Sequence, residues 1–504
     1  MLDQLGHAHT RHAIAGHQLN GAGEQPLAGC PRHGLGLSCV RRVRASSVYR
    51  PVYRGPTVAS RPDGTSVLTS CRQFRPDHSL LSALRPETAP AGRPNGVPAS
   101  TVAPGKPIGL LVSPRSRSAS KKGVAVKIYD TAVIGGGLAG LSSAAALAAA
   151  GEKVVVLEQY NVVGGSTHVF RRKGKWEWQV GVHHLGNCGP DGDMPTVFRG
   201  LGLEEHISYL PMDRTGYERF VFPDLVFDAP ADWDEYIVRI TALFPAERRQ
   251  LEKFFKVVQK FGRAIDRGTA ASVGGMAKTA AKLGLHARLA TMSATAVMNR
   301  FGLSERAQVL IATSPCGSVN CPPDRFPFAG LAAFWHLFVS GGAWFPEGGG
   351  QVFSANLVRV IQQFGGEVVT GAFAEEILVE NGRAAGVRLQ GGATYRATNV
   401  ISTADIKKTY GRLIPEAAMK PDHAARVAKY RMATPFFNAF LGADVDLASL
   451  YPNRDHFSMP TWSSYRDIEK LLTYREGDTA ESWLERVRPQ LPAYIHCSDV
   501  KDPG

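Results

Sequence analysis

Apolar and polar positions alternate in blocks near residue 130, and the blocks predict a strand, a helix and a second strand. The apolar run Thr131–Ile134 is typical of a buried strand, and an alanine-rich helical pattern then runs to Ala150. Gly151 is expected to end this helix, and a second apolar run, Val154–Leu157, follows it. Elements of these types in this order predict one βαβ unit.

Helical patterns dominate the middle of the chain. Helices are predicted over Ala231–Phe244 and Ala246–Arg263, with Asp232 as an N-cap. The stretch Arg267–Ser304 contains no acidic residue, and basic and apolar side chains are interspersed through it. This pattern fits either a helical wall around a substrate cavity or a basic amphipathic surface against an anionic membrane. The apolar run Phe328–Val339 is too short to span a bilayer.

Farther along, the pattern predicts a mixture of helices and strands. A helix is expected over Gln351–Phe364 and a strand over Val368–Val379, followed by a hairpin turn at Asn381-Gly382. Asn399–Thr403 is typical of another buried strand, and Thr409–Tyr430 is predicted to be one helix.

The turn inside the βαβ unit carries glycines in G-x-G-x-x-G spacing, at Gly135, Gly137 and Gly140. Gly135 permits the tight turn, Gly137 lets a pyrophosphate approach the backbone, and Gly140 lets the helix pack closely. The helix N-terminus offers N–H groups and a positive dipole end to phosphates. Glu158, at the end of the second strand, is placed to accept hydrogen bonds from a ribose diol. The pattern predicts a dinucleotide site; the alternative is a glycine-rich turn in an unrelated α/β fold.

Charge is distributed unevenly along the 504 residues. Lys and Arg outnumber Asp and Glu by 17 to 5 in residues 1–126, but only by 41 to 39 in the rest, although the net charge is +14. The remainder is therefore nearly neutral, which argues against nucleic-acid binding. The leader, residues 1–126, is rich in Pro, Ser and Arg and lacks a sustained apolar period, so we expect it to be disordered.

The composition of the leader is that of an organelle transit peptide, and a plastid is the favoured destination. The alternative is that the leader comes from an over-extended gene model, in which case the protein would be in the cytoplasm or at the endoplasmic reticulum membrane. Cys316 and Cys321 form the only close cysteine pair outside the leader, and they lack further ligands at a recognisable spacing. We therefore predict no metal site.

Several motifs together resemble the FAD-dependent phytoene desaturase and carotenoid isomerase group, and are most similar to its retinol saturase branch. They are the glycine fingerprint, Gly164-Gly165, the G-x-H-x-x-G at Gly181–Gly186, and GGAWFPEGG at Gly341–Gly349. The resemblance implies an α/β fold, in which an FAD-binding Rossmann-like βαβ domain is interrupted by a mixed α+β substrate domain. Residues 127–205 and 345–412 would form the former, and residues 206–344 and 413–504 the latter.

The resemblance also implies roles for individual residues. Gly164 and Gly165 would lie beside the pyrophosphate, and the backbone of Ala374 would meet the adenine. Trp344 and Phe345 would face the substrate side of the flavin, and His184 is placed there with them. No general acid or base is assigned. A second, glycine-rich flavin motif that members of the group normally carry does not occur in these 504 residues.

The function implied is an FAD-dependent oxidoreductase that saturates, desaturates or isomerises a lipophilic polyene of carotenoid or retinoid type. Since one full fingerprint is present, the other electron carrier would bind transiently. One alternative is a flavin amine oxidase, but Ser166 follows the glycine pair where amine oxidases carry Arg. The other is a non-enzymatic relative of the GDP-dissociation inhibitors, which bind prenylated proteins and have an eroded nucleotide fingerprint.

Overall fold

The computed structural model describes residues 127–173, 176–265, 273–433, 435–463 and 467–502. These residues belong to one compact unit, and the predictions made for the leader lie outside them. Their strands are β1 (Ile128–Ile134), β2 (Val154–Glu158), β3 (Val169–Arg172), β4 (Trp176–Gln179), β5 (Leu185–Gly186), β6 (Tyr209–Pro211), β7 (Glu218–Phe222), β8 (Leu225–Ala229), β9 (Ala343–Pro346), β10 (Glu367–Thr370), β11 (Ala374–Glu380), β12 (Arg383–Leu389), β13 (Thr394–Ser402), β14 (Asp455–Ser458) and β15 (Ala493–Ile495).

Their α-helices are α1 (Leu138–Ala149), α2 (Asp193–Gly200), α3 (Trp233–Leu243), α4 (Arg248–Ile265), α5 (Val273–Leu283), α6 (Ala294–Arg300), α7 (Glu305–Val319), α8 (Phe328–Trp335), α9 (Gln351–Gln363), α10 (Ile406–Lys408), α11 (Pro421–Ala428), α12 (Leu447–Leu450), α13 (Ile468–Leu472), α14 (Ala480–Val487) and α15 (Ser498–Lys501).

The largest sheet has the strand order β10-β2-β1-β13-β12-β11. The first four strands are parallel, and β12 and β11 continue the sheet as an antiparallel hairpin. Ile134 at the end of β1 pairs with Leu157 on β2 and with Ser402 on β13. The predicted βαβ unit is therefore confirmed, and the carboxyl ends of its two strands lie side by side.

Both faces of this sheet are covered. On one face, Val133 and Val156 pack with Leu141 of α1 and Leu357 of α9. On the other face, residues at alternate strand positions, such as Ile134, pack against the β11–β12 hairpin. Because successive strand side chains point to opposite faces, near-continuous apolar runs are what a sheet buried on both sides requires.

Two predicted elements in the second half of the chain are wrong. The predicted strand Val368–Val379 is two strands, β10 and β11, because the chain turns between them at Gly371, whose φ is +66°. The predicted helix Thr409–Tyr430 is broken into short helical segments. Proline disfavours the helical conformation of the residue before it, and the residues before Pro415 and Pro421 are extended, with ψ values of 125° and 127°.

A second sheet has the order β15-β14-β7-β8, in which β14 and β7 are parallel. Helices α3, α4, α7 and α8 share one apolar core with it. The predicted cap at Asp232 is confirmed, since its carboxylate accepts a hydrogen bond of 2.9 Å from the main-chain N–H of Glu235. A third sheet has the order β5-β9-β6. It joins the glycine-rich segments Gly181–Gly186 and Gly341–Gly349, because Leu185 on β5 pairs with Trp344 on β9.

The apolar run Phe328–Val339 forms α8 and the turn after it. Phe328, Leu331 and Trp335 are completely buried in the core shared with the second sheet. Within the described residues, no helix combines the length and the apolar character that crossing a bilayer would require.

Candidate functional site

The glycine fingerprint forms a tight turn that only glycine fits. Gly135 has a φ of +103°, and a Cβ there would lie 2.6 Å from Oγ1 of Thr403, which follows β13. A Cβ on Gly140 would lie 2.0 Å from the main-chain oxygen of Gly135. Because real side chains do not approach so closely, the turn between β1 and α1 depends on these two glycines.

A second glycine segment faces this turn. The N–H of Gly164 donates a hydrogen bond of 2.7 Å to the main-chain oxygen of Gly136. Gly165 has a φ of +56°, and a Cβ there would lie 3.1 Å from Cα of Gly137. Gly137 precedes α1 and offers no capping side chain to its first turn. The result is a glycine-lined cradle at a helix N-terminus, which is an arrangement that binds phosphates.

Glu158 lies beside the cradle. Its two carboxylate oxygens accept hydrogen bonds of 2.7 Å from the N–H groups of Gly136 and Tyr160, and the residue is buried. The segment leading to Ala374 runs next to it, because the N–H of Ala372 donates to the main-chain oxygen of Glu158 at 2.8 Å. The structure therefore brings together the predicted residues for the ADP part of FAD. The donor groups of the cradle and the carboxylate fit that group.

The segment Gly181–Gly186 packs against the cradle. A Cβ on Gly181 would lie 3.1 Å from the main-chain oxygen of Ser166, in the turn that follows the glycine pair. A Cβ on Gly350, just before α9, would lie 2.6 Å from the side chain of Val182. These close contacts connect the cradle to His184, which lies on the same segment.

His184 is part of a group of buried ionisable side chains, which we call the charge cluster. Its Nδ1 lies 2.6 Å from Oδ2 of Asp455, and its Nε2 lies 3.4 Å from Oε1 of Glu218. The two carboxylates are neighbours because Asp455 and Glu218 are the paired first residues of the parallel strands β14 and β7. The cluster consists of His184, Glu218, Asp455, His496 and Lys501.

Asp455 is the centre of the charge cluster. It accepts a hydrogen bond of 2.6 Å from the hydroxyl of Tyr494, lies 3.1 Å from Nδ1 of His496, and forms a buried ion pair with Lys501, whose Nζ lies 2.6 Å from the same Nδ1. Burial alone would raise its pKa, but the Lys501 ammonium and the imidazole donors hold the pKa of Asp455 well below its usual range. Burial lowers the pKa of Lys501, and Asp455 opposes this effect.

Burial shifts the pKa values of Glu218 and His183 in opposite directions, because it favours the neutral form of both groups. The side chain of Glu218 is completely buried, which raises its pKa to about 7, although His184 and a hydrogen bond of 2.9 Å from Oγ of Ser314 oppose the rise. Burial lowers the pKa of His183 to about 3, and the neighbouring His496 lowers it further. Asp455 therefore favours the anion, whereas Glu218 and the adjoining His183 favour the neutral form.

The predicted substrate-side residues separate into two groups. Phe345 is buried, and its ring centroid lies 5.9 Å from the ring of His496 and 5.9 Å from Nζ of Lys501. The structure therefore brings Phe345 and His184 to the same cluster. Trp344 lies on the other face of β9, where its indole N–H donates to the main-chain oxygen of Gly341 at 2.8 Å.

Sequence reasoning missed most of the charge cluster. Glu218, Asp455 and His496 were not singled out. A weak signal was present, because Glu218 and Asp455 are charged first residues of the short strands ERFVF and DHFS. Within the part of the chain that the structure describes, no group of three or more His, Cys, Asp or Glu side chains is arranged to hold a metal ion.

Comparisons with known proteins place this architecture in a family. The all-trans-retinol 13,14-reductase of Rattus norvegicus is 27% identical over 310 residues, which cover 57% of this chain and 49% of the rat protein. The chloroplastic prolycopene isomerase of Daucus carota is 26% identical over 360 residues, which cover 67% of this chain and 56% of that protein. A solved oxidoreductase structure from Methanosarcina mazei is 24% identical, covers 59% of this chain and 64% of its own, and has a TM-score of 0.43.

This chain thus spans about half the length of the curated relatives it matches. Their names fall within the group that the sequence motifs indicated, so that prediction is confirmed. A family profile described as "flavin containing amine oxidoreductase" matches residues 138–483, which is more than half of the chain. The match confirms the predicted α/β flavoprotein fold and FAD as the cofactor. The chain belongs to the flavin-containing amine oxidoreductase family.

Proposed function

We propose that this chain is an FAD-dependent oxidoreductase that saturates, desaturates or isomerises a double bond in a lipophilic polyene of carotenoid or retinoid type. One observation carries the proposal: an intact nucleotide cradle is present in a chain whose relatives are named as a retinol reductase and a prolycopene isomerase. When bound, FAD supplies hydride-transfer chemistry. Because a polyene offers no charge to bind, the protein contributes apolar contacts and orientation.

The sheet topology supports a division of the chain into an FAD domain and a substrate domain. The six strands of the largest sheet all come from residues 127–205 and 345–412, which supports assigning these two segments to the FAD domain. The sheet β15-β14-β7-β8 comes entirely from residues 206–344 and 413–504, which supports assigning these segments to a substrate domain. The charge cluster would then lie where the Gly181–Gly186 segment of the first domain reaches the second.

The direct test is to purify the full chain, record its absorbance spectrum, and incubate it with FAD and a panel of retinoids, carotenoids and amines, once anaerobically with a chemical reductant and once with a quinone as electron acceptor. Saturation adds two hydrogen atoms to the product, desaturation removes two, and isomerisation changes only the chromatographic retention time. We expect a flavin spectrum and one of these three changes. The absence of flavin after FAD is added, or conversion of amines without conversion of polyenes, would contradict the proposal.

A pair of variants tests the cradle itself. Gly137→Val would place a branched side chain opposite Gly165, and we expect the flavin absorbance of the purified protein to be lost. Gly200→Val is the matched control, because no atom lies within 4 Å of a Cβ at that position of α2. Equal flavin content in the two variants would show that the cradle does not hold the cofactor.

We also propose that the protein contacts an anionic membrane through the region of α5 and the turn that follows it. Met276 and Leu285 are 60% and 84% exposed there. The exposed basic residues of this surface are Lys278, Lys282 and Arg288. Exposed apolar side chains among cations are typical of surfaces that insert into the headgroup region, where a lipophilic substrate is dissolved.

Vesicle sedimentation tests the membrane contact. We expect binding to vesicles that contain phosphatidylglycerol, weaker binding to phosphatidylcholine alone, and a further decrease with added salt. Leu285→Glu should decrease the binding, whereas Val238→Glu, at a position on α3 that is 59% exposed, should not. If the two variants bind equally, the region is better described as a helical wall of the substrate domain.

Finally, we propose a plastid as the site of action. The carrot relative is named chloroplastic, and the basic, acid-poor composition of residues 1–126 is consistent with a transit peptide. Fluorescent fusions of the full chain and of a chain without residues 1–126 should locate differently in plant cells. The same endoplasmic reticulum or cytoplasmic location for both fusions would contradict the proposal.

A further inference from the structure

Glu218 has one oxygen that is paired and one that is not. Oε1 accepts from Ser314 and lies near His184, whereas Oε2 has no hydrogen-bond partner among the described residues. Because the residue is completely buried, a charged Oε2 would lose its hydration without compensation. The geometry therefore favours the neutral acid, in agreement with the raised pKa of this group.

The contacts of His184 define where its hydrogen lies. Nδ1 faces Asp455, whose ionised carboxylate can only accept, so Nδ1 carries the hydrogen. The lone pair of Nε2 is then directed to Oε1 of Glu218. Glu218 as an acid beside neutral His184 has the same net charge as ionised Glu218 beside protonated His184. Since Asp455 and Lys501 neutralise one another, a proton can move between Glu218 and His184 without changing the net buried charge.

Ionisable and hydroxyl side chains from several elements surround Glu218 and His184. Tyr217 precedes β7 and Tyr236 lies on α3; burial raises the pKa of both hydroxyls well above the usual range, so they stay protonated near neutral pH. The remaining groups are Ser314 on α7, Asp455 on β14, Tyr494 on β15, His183, His496 and Lys501. Asp455 raises the pKa of Glu218 and Lys501 lowers it, so the effects of these two charges on the pair oppose one another.

We propose that Glu218 and His184 share one mobile proton, and that this proton is the one transferred to a polyene carbon in the reaction. The inference rests on the proposed function. In saturation the carbon–carbon π bond breaks and two C–H bonds form: Glu218 gives the proton for one of them, and FAD, when bound and reduced, would supply the hydride for the other. Glu218 is left as a carboxylate and regains a proton from water. In isomerisation the same proton is added and then returned, so nothing is consumed.

The position of the pair agrees with this role. His184 lies on the segment that packs against the nucleotide cradle, and the Phe345 ring lies 5.9 Å from Nζ of Lys501 in the charge cluster. Because the Glu218 and Asp455 side chains are completely buried, a proton held here reaches bulk water only when the surrounding side chains move. General acids that are positioned in this way typically accelerate a reaction by about a hundredfold to ten-thousandfold.

The first test needs no cofactor. Infrared difference spectra of the FAD-free full chain should contain the carbonyl band of a protonated carboxylic acid, which disappears as the pH rises through about 7. The band should be absent in Glu218→Gln and present in Glu380→Gln, a change in an exposed glutamate on β11 that is paired with Arg396. A band that persists in Glu218→Gln, or a wild-type protein without the band, would overturn the proposal.

The second test separates this inference from the proposed function. In Glu218→Gln we expect flavin reduction to proceed at the wild-type rate and polyene conversion to slow by about a hundredfold or more. Near-ultraviolet circular dichroism would check that the variant is folded. Wild-type rates of polyene conversion in a folded Glu218→Gln would overturn the inference alone. If the wild-type protein converts no polyene, the proposed function fails, while the infrared test still decides where the proton lies.

Discussion

The pH dependence of stability offers a quantitative test of the buried Glu218. Its carboxyl has a pKa of 4.5 in an ordinary environment and about 7 in the folded protein. The folded state therefore binds a proton that the unfolded state has lost above pH 4.5. The resulting stabilisation is fully present below pH 4.5 and is lost as the pH rises to about 7.

The size of the effect follows from the shift. One pKa unit corresponds to about 1.4 kcal/mol, so a pKa raised from 4.5 to about 7 corresponds to about 3 kcal/mol of unfolding free energy. Because the side chain is completely buried, solvent screening does not reduce this value. Glu218→Gln removes the titrating group but keeps the shape of the side chain.

Urea unfolding, followed by tryptophan fluorescence, would measure the difference in unfolding free energy between wild type and Glu218→Gln at a series of pH values. We expect the wild type to lose about 3 kcal/mol relative to the variant between pH 4.5 and about 8. Glu380→Gln, at an exposed position, should give a profile parallel to that of the wild type. Parallel profiles for wild type and Glu218→Gln would refute the reasoning, since they would show that Glu218 has an ordinary pKa in the folded protein.

Three further predictions concern the cradle and the charge cluster. Gly140→Ala should destabilise the fold by about 1–3 kcal/mol in urea unfolding, because its Cβ would strike a main-chain oxygen, whereas Gly200→Ala should change stability little. Asp455→Asn should cost about 3–5 kcal/mol in the same assay, since it leaves the buried Lys501 ammonium unpaired; a loss below about 1 kcal/mol would contradict this. Glu158→Gln presents an amide N–H₂ to one of the two main-chain donors, Gly136 or Tyr160, so FAD titrations should show binding that is about tenfold weaker or more; unchanged affinity would argue against its role.

The contrast between the two halves of the site shows how far sequence reasoning reaches. Gly135, Gly137, Gly140 and Glu158 were predicted because they lie close together in the chain, on elements whose periodicity is visible in the sequence. The role of Gly164 and Gly165 was implied by the family resemblance. The prediction for Thr409–Tyr430 was wrong for an equally local reason. Pro415 and Pro421 keep the residues before them out of the helical conformation. The substrate-side position of His184 stays a prediction, and its buried partners Asp455 and Glu218 became visible only in the structure.

The sequence by itself determined the βαβ unit, the glycine turn and the cap at Asp232, because steric limits and hydrogen bonds between near neighbours dictate them. Only the tertiary structure decided the charge cluster. Glu218 and Asp455 are more than two hundred residues apart, and the parallel pairing of β7 with β14 makes them neighbours. Burial then gives them opposite electrostatic behaviour, because Asp455 has the Lys501 ammonium beside it and one oxygen of Glu218 has no partner among the described residues.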